Sequence, residues 1–175
     1  MTRFTLNGHS QELGDQDLQP QSVLLDVLRN ALGLRATRQG CGQEQCGACH
    51  VLLDQRSVPA CTLPLWAVQG HAVTTLEGAA QAPGQGTPQA QALRILQAAF
   101  VAEQAAQCGF CTSGMLIGAA ALLLHTPQPT DAQVRQALDR HLCRCGAHNR
   151  IVRAVHRAAA VWAADANATS QAPHA

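Results

Sequence analysis

Apolar and polar positions change rhythm once along the 175 residues of this chain. Up to about residue 77 short alternating runs alternate with turn residues, and beyond about residue 88 the apolar positions recur at helical spacing. "RFTLNGHSQEL", residues 3–13, sets Asn7-Gly8 between two short runs and predicts a β-hairpin. Ser22 is placed to cap a helix carrying Leu24, Leu25, Leu28 and Leu32 along one stripe, with Gly33 as its stop. A loop rich in cysteine follows from Arg38 to Cys49. "HVLLD" and "SVPAC" predict two further strands around a turn at Asp54 to Arg56, and "HAVTTLEG" a last one. Residues 1–77 thus form a small α+β domain.

Gly, Ala, Gln and Pro replace periodic apolar residues over 78–88, which is the expected linker. The second domain, 89–164, is helical. Thr87 caps and Pro88 opens a helix to about Ala106 with Leu93, Leu96, Phe100 and Val101 as its buried stripe. The next, about Thr112 to His125, is apolar nearly all round, as a central helix must be. Thr130 and Gln133 form a capping box for a third helix ending near His141, and a fourth spans about Asn149 to Ala163 with Ile151, Val152, Val155 and Trp162. Residues 165–175 read as a flexible tail.

Composition narrows the function classes. The 12 basic residues, all Arg, balance 11 acidic ones, so nothing in the charge suggests nucleic acid. The longest strongly apolar run, Met115 to Leu124, is too short to span a bilayer, so the Gly114/Gly118 spacing at its start predicts close helix packing rather than a membrane dimer. "MTRFTLNGHS" lacks the apolar core of a secretory signal, and a cytoplasmic location is expected. Eight cysteines in a reducing compartment point to metal binding or thiol chemistry rather than disulfides.

Their spacing separates two sets. Cys41, Cys46, Cys49 and Cys61 follow Cys-x4-Cys-x2-Cys with a fourth eleven residues further on, the plant-type [2Fe-2S] ferredoxin pattern with a close fourth ligand. Gly40, Gly42, Gly47 and Ala48 let the backbone wrap tightly and aim its N–H groups at sulfur. Structural zinc is the alternative, although it usually takes two short Cys-x2-Cys knuckles. Cys108, Cys111, Cys143 and Cys145 form the second set, each pair placed before a predicted helix. On spacing alone this set leaves zinc as a rival.

"GCGQEQCGACHVLLD" with "PAC", then "VTTLEG", "QCGFCTSGM", "PTDAQVRQAL" and "LCRCGAHNRIVRAV" resemble, in that order, the small iron–sulfur subunit of the molybdenum hydroxylases, the xanthine oxidase family. The resemblance runs over roughly residues 3–160. It implies a β-grasp, plant ferredoxin-like domain followed by a four-helix bundle, with one [2Fe-2S] cluster held by each cysteine set. It also implies that Gln107 and Cys145 contact a molybdopterin cofactor on a separate large subunit. Arg144 and Arg150 are candidates for pterin phosphate or for partner carboxylates, with a solvated or interface arginine as the plain alternative. His50 stands where the family usually has Thr, and Gln55 where it usually has Gly. "CRCGAH" looks closer to two-subunit members acting on N-heteroaromatics such as isoquinoline or nicotinate, or on aldehydes, which often lack a flavin subunit and pass electrons to a cytochrome. A cytochrome is therefore the expected acceptor, with a flavin subunit as the alternative.

The resemblance makes this chain the electron-transfer subunit of an oxidoreductase, with no substrate turnover of its own. A free ferredoxin-like carrier and a two-zinc interaction module are the rivals. Only 13% of the residues are charged, against about a quarter in an average globular chain. That favours a surface covered by a partner, with apolar exposure expected around Leu63, Leu65 and Trp66.

Overall fold

The computed structural model describes residues 1–14, 21–80 and 87–170, so the expected linker and tail lie outside the described residues at 81–86 and 171–175. Strand β1, Thr2–Leu6, turns back through Asn7 and Gly8 into β2, His9–Leu13. Both turn residues have positive φ, 50° and 84°, the backbone twist a two-residue hairpin demands. Strands β3, His50–Leu53, and β4, Arg56–Pro59, are joined in the same way by Asp54 and Gln55, and β5 spans Ala72–Thr74. The sheet order is β2-β1-β5-β3-β4, with β1 and β5 parallel and every other pair antiparallel.

Helix α1, Leu24–Asp26, continues as one π turn over Val27–Ala31, and Gly33 at φ 69° ends it. Leu24, Leu25 and Leu28 are buried with Phe4, Leu6, Val51 and Val73 from the sheet. Ser22 is not the cap. The chain enters through Val23, and the first helical N–H groups of Leu24 and Leu25 donate to the carbonyls of Leu63 (2.8 Å) and Ala60 (3.0 Å). Backbone satisfies the orphan donors, so no side chain is needed. The segment carrying those carbonyls also buries Leu65, contrary to expectation, and of Leu63, Leu65 and Trp66 only Trp66 is well exposed, at 68%.

The helical part contains α2 (Pro88–Ala102), α3 (Thr112–His125), α4 (Asp131–Leu138) and α5 (His148–Ser170). Thr87 accepts from the Ala90 N–H, and the Thr130–Gln133 capping box is complete in both directions. In α2 the buried stripe holds Leu93, Leu96 and Phe100, but Val101 is 78% exposed. It lies a further 100° around the helix than Phe100, just before the chain turns away at Gln104, whose φ is 49°. That turn also ends α2 short of Ala106. Helix α4 stops at Leu138, before His141, whereas α5 runs on beyond Ala163 through 165–170. Residues 76–80 form a 3-10 turn whose Gly78 and Ala79 are buried, so the first part of the expected linker is packed structure.

Helix α3 is the central one, and it also reaches the sheet. A Cβ on Gly114 would stand 2.0 Å from the carbonyl oxygen of Gly47, and one on Gly118 would stand 2.7 Å from the His141 ring. The two glycines therefore pack the helix against the first cysteine loop and its neighbour, within one molecule. Among the described residues no helix is long and apolar enough to cross a membrane.

Candidate iron–sulfur centres

The first cysteine loop hangs between α1 and β3. Gly42 and Gly47 adopt φ of 70° and 74°, and a Cβ on Gly40 would stand 2.6 Å from the Cys46 sulfur. Only a backbone with these freedoms curls tightly enough to aim amides at the sulfurs. The Cys41 N–H donates to Cys46 Sγ at 3.3 Å, and the N–H groups of Gln43 and Gln45 donate to Cys41 Sγ at 3.5 and 3.2 Å. The Gln43 amide leads in drawing the Cys41 thiol down to about 7, because a donor stabilises the thiolate. Cys49 lies deeper, in side-chain contact with Cys61, and burial pushes its thiol up to about 11.

The second set closes in the same two-by-two manner. Cys108 and Cys145 stand 3.4 Å apart sulfur to sulfur, and Cys111 contacts Cys143. Cys111 is the residue at the N-terminal end of α3, and Cys143 and Cys145 lie on the turn leading into α5. The Phe110 N–H leads in lowering the Cys108 thiol, while burial raises Cys111 to about 12. Gln107 donates from Nε2 to the Cys145 carbonyl at 3.1 Å, and Gln107 and Cys108 are both exposed.

None of the eight cysteines is in a disulfide. Each set splits into two contacting pairs, and a two-iron cluster takes its thiolates two to an iron. Among the described residues no group of three or more His, Cys, Asp or Glu side chains converges on a single ion. The donor chemistry fits: thiols in pairs, with amides directed at them, in loops shaped by glycine.

Two domain signatures cover nearly the whole chain, a 2Fe-2S iron-sulfur cluster binding domain over residues 4–73 and a [2Fe-2S] binding domain over 75–156. One of the nicotinate dehydrogenase subunits of Pseudomonas putida is 45% identical over 140 residues, 80% of this chain and 84% of that protein. The alpha subunit of isoquinoline 1-oxidoreductase from Brevundimonas diminuta is 43% identical over 159 residues, 91% of this chain and 97% of that protein. This chain belongs to the [2Fe-2S] subunit family of the molybdenum hydroxylases. Among solved structures, quinoline 2-oxidoreductase from Pseudomonas putida 86 superposes with a TM-score of 0.81 at 31% identity, over 93% of this chain and 95% of that one. The ferredoxin-like domain followed by a helical part is therefore the fold of this molybdenum hydroxylase subunit.

Two departures from the family's usual residues now have places. Gln55 sits at φ 73° in the β3–β4 turn, a conformation that favours glycine. His50 is buried, held by Ser57 Oγ at 2.7 Å from Nδ1, and its ring lies 4.7 Å from that of His141. Arg150 donates to the Gln104 carbonyl at 3.3 Å, which ties α5 to the end of α2, while Arg144 is exposed. Sequence reasoning missed Arg38, which donates to the Gly109 carbonyl at 2.6 Å and lies over the Phe110 ring at 5.6 Å. It also missed the Leu142 N–H donating to the Cys46 carbonyl at 3.0 Å. Both contacts join the two cysteine loops across the domain boundary, and no local spacing signals them.

Proposed function

We propose that this chain is the electron-transfer subunit of an N-heteroaromatic hydroxylase, in which Cys41, Cys46, Cys49 and Cys61 hold one [2Fe-2S] cluster and Cys108, Cys111, Cys143 and Cys145 the other. The single observation that carries the reading is the bond between the loops. Leu142, next to Cys143, donates its N–H to the carbonyl of Cys46 at 3.0 Å. One hydrogen bond and otherwise only covalent bonds thus separate a cysteine of one set from a cysteine of the other.

When bound, a [2Fe-2S] cluster takes up and releases one electron at a time, which suits a two-electron oxidation drained in single steps. The chain positions these conductors. Its amides at Gln43 and Gln45 stabilise thiolate at Cys41, and its packing keeps water from Cys49. Gln107 and Cys145, joined by their hydrogen bond, are the residues proposed to meet a molybdopterin on a large partner subunit. The exposed turn at 42–45 over the first set is the proposed exit toward a cytochrome or flavin subunit. A cytoplasmic location suits eight free thiols. N-heteroaromatics are favoured over aldehydes by the names of the nicotinate, isoquinoline and quinoline relatives.

The test is low-temperature EPR of the dithionite-reduced protein, purified from its native host by a tag on this chain, with iron, zinc and molybdenum quantified. Two distinct [2Fe-2S] signals with co-purifying molybdenum are expected. Two signals without molybdenum would favour a free carrier, and zinc in place of iron would overturn the redox reading.

A further inference from the structure

His141 is 3% exposed, and neither of its ring nitrogens has a protein partner among the described residues. Burying an imidazole without hydrogen bonds is unfavourable, so its place is set by shape rather than by polar contacts. The shape is a slot. A Cβ on Gly47 or on Gly118 would stand 2.7 Å from the ring, so the absence of both side chains is what admits it. His50 closes the slot, edge-on to the His141 ring at an interplanar angle of 66°, and is itself fixed by Ser57.

These walls belong to the two cysteine loops and to the helix that touches both. Gly47 follows Cys46, His50 follows Cys49, His141 precedes Leu142 and Cys143, and Gly118 lies on α3, two turns beyond Cys111. The carbonyl of Gly47 accepts from the His50 N–H at 3.2 Å, which ties the His50 backbone to the loop, while Ser57 holds its ring. A threonine, the family's usual residue at His50, is shorter than an imidazole and leaves the His141 ring without that wall.

We propose that the His50–His141 ring pair is a spacer between the two cysteine loops, setting the Leu142–Cys46 hydrogen bond and with it the coupling between the two iron–sulfur centres. This rests on the reading of both loops as [2Fe-2S] centres. Neither ring touches substrate, so both are positioning residues.

The experiment is EPR of the reduced complex in two states. Partial reduction, with spin on one centre at a time, reports each centre alone, and full reduction reports the magnetic interaction between them. His50→Thr and His141→Ala should keep each single-centre signal and weaken the interaction splitting of the fully reduced state. Adding Gly118→Ala to His141→Ala puts a methyl into the vacated slot and should restore part of the splitting, whereas Gly118→Ala alone presses on the ring and should change it. A purely structural role lowers Tm and leaves the interaction as it was. Splitting unchanged in both His50→Thr and His141→Ala, or no interaction in the wild type, overturns the proposal. If His141→Ala fails to assemble its centres, His50→Thr decides alone. A wild-type protein without two [2Fe-2S] signals would instead sink the functional reading, before any variant is made.

Discussion

Cys41 and Cys49 share one loop, yet amides draw the first thiol down to about 7 and burial lifts the second to about 11. In metal-stripped protein at pH 7, Cys41 therefore carries far more thiolate than Cys49 or Cys111, and thiolate is the species that alkylates. Iodoacetamide labelling read by mass spectrometry should mark Cys41 first. Its rate should level off above pH 8, while the rates at Cys49 and Cys111 should keep rising about tenfold per pH unit. Metal binding therefore has to displace protons from the buried thiols, and loading should release protons. Within the assembled protein, Cys145→Ala should abolish the EPR signal of the second centre and the flow of electrons while sparing the first. At this scale the division of the cysteines into two sets was legible, because spacing along the chain is a covalent property. His141 and Arg38 were not, because what makes them matter is a neighbour supplied by the other domain.

Among the elements, the β3–β4 hairpin carries an avoidable strain. Gln55 occupies a left-handed conformation at an exposed turn, and Gln55→Gly should stabilise the protein by about 1 kcal/mol, a rise of about 2–4 °C in Tm by calorimetry. Gly114→Ala should act in the opposite sense. Its new methyl would meet backbone at Gly47, which cannot rotate aside, so a loss of about 1–3 kcal/mol is expected together with a disturbed first-centre EPR signal. The hairpins and the capped starts of α2 and α4 were legible because Asn-Gly, Thr-Pro and Thr-x-x-Gln act within a few residues. The start of α1 was misread for the opposite reason: its caps are the carbonyls of Ala60 and Leu63, far along the chain. Val101 was misplaced because periodicity names a face but not what covers it.

For the whole molecule, low charge is the governing property. With a net charge of +1 and 13% charged residues, the chain has little with which to steer or hold a partner electrostatically. The proposed complex with a large subunit should therefore survive gel filtration as the ionic strength rises from about 0.05 M to about 1 M, where exposed charge pairs are screened within a few ångströms. Dissociation over that range would mean that ion pairs carry the interface. The order of the two domains was legible from the order of the cysteine sets, whereas their mutual fit was not. It depends on Gly47, Gly114 and Gly118 being small at one point in space, and glycine in a sequence does not name what approaches it.

The seating of α3 against Gly47 and Ala48 has a consequence for how the protein is made. The first loop and all five strands leave the ribosome before α3 does, and N-terminal domains fold as they emerge. Until α3 arrives, the inner side of that loop is uncovered; afterwards the helix backbone lies on it. The inner wall of the first loop is thus supplied by the last-made part of the protein, and that loop gains its final shape only when the helical part folds onto it.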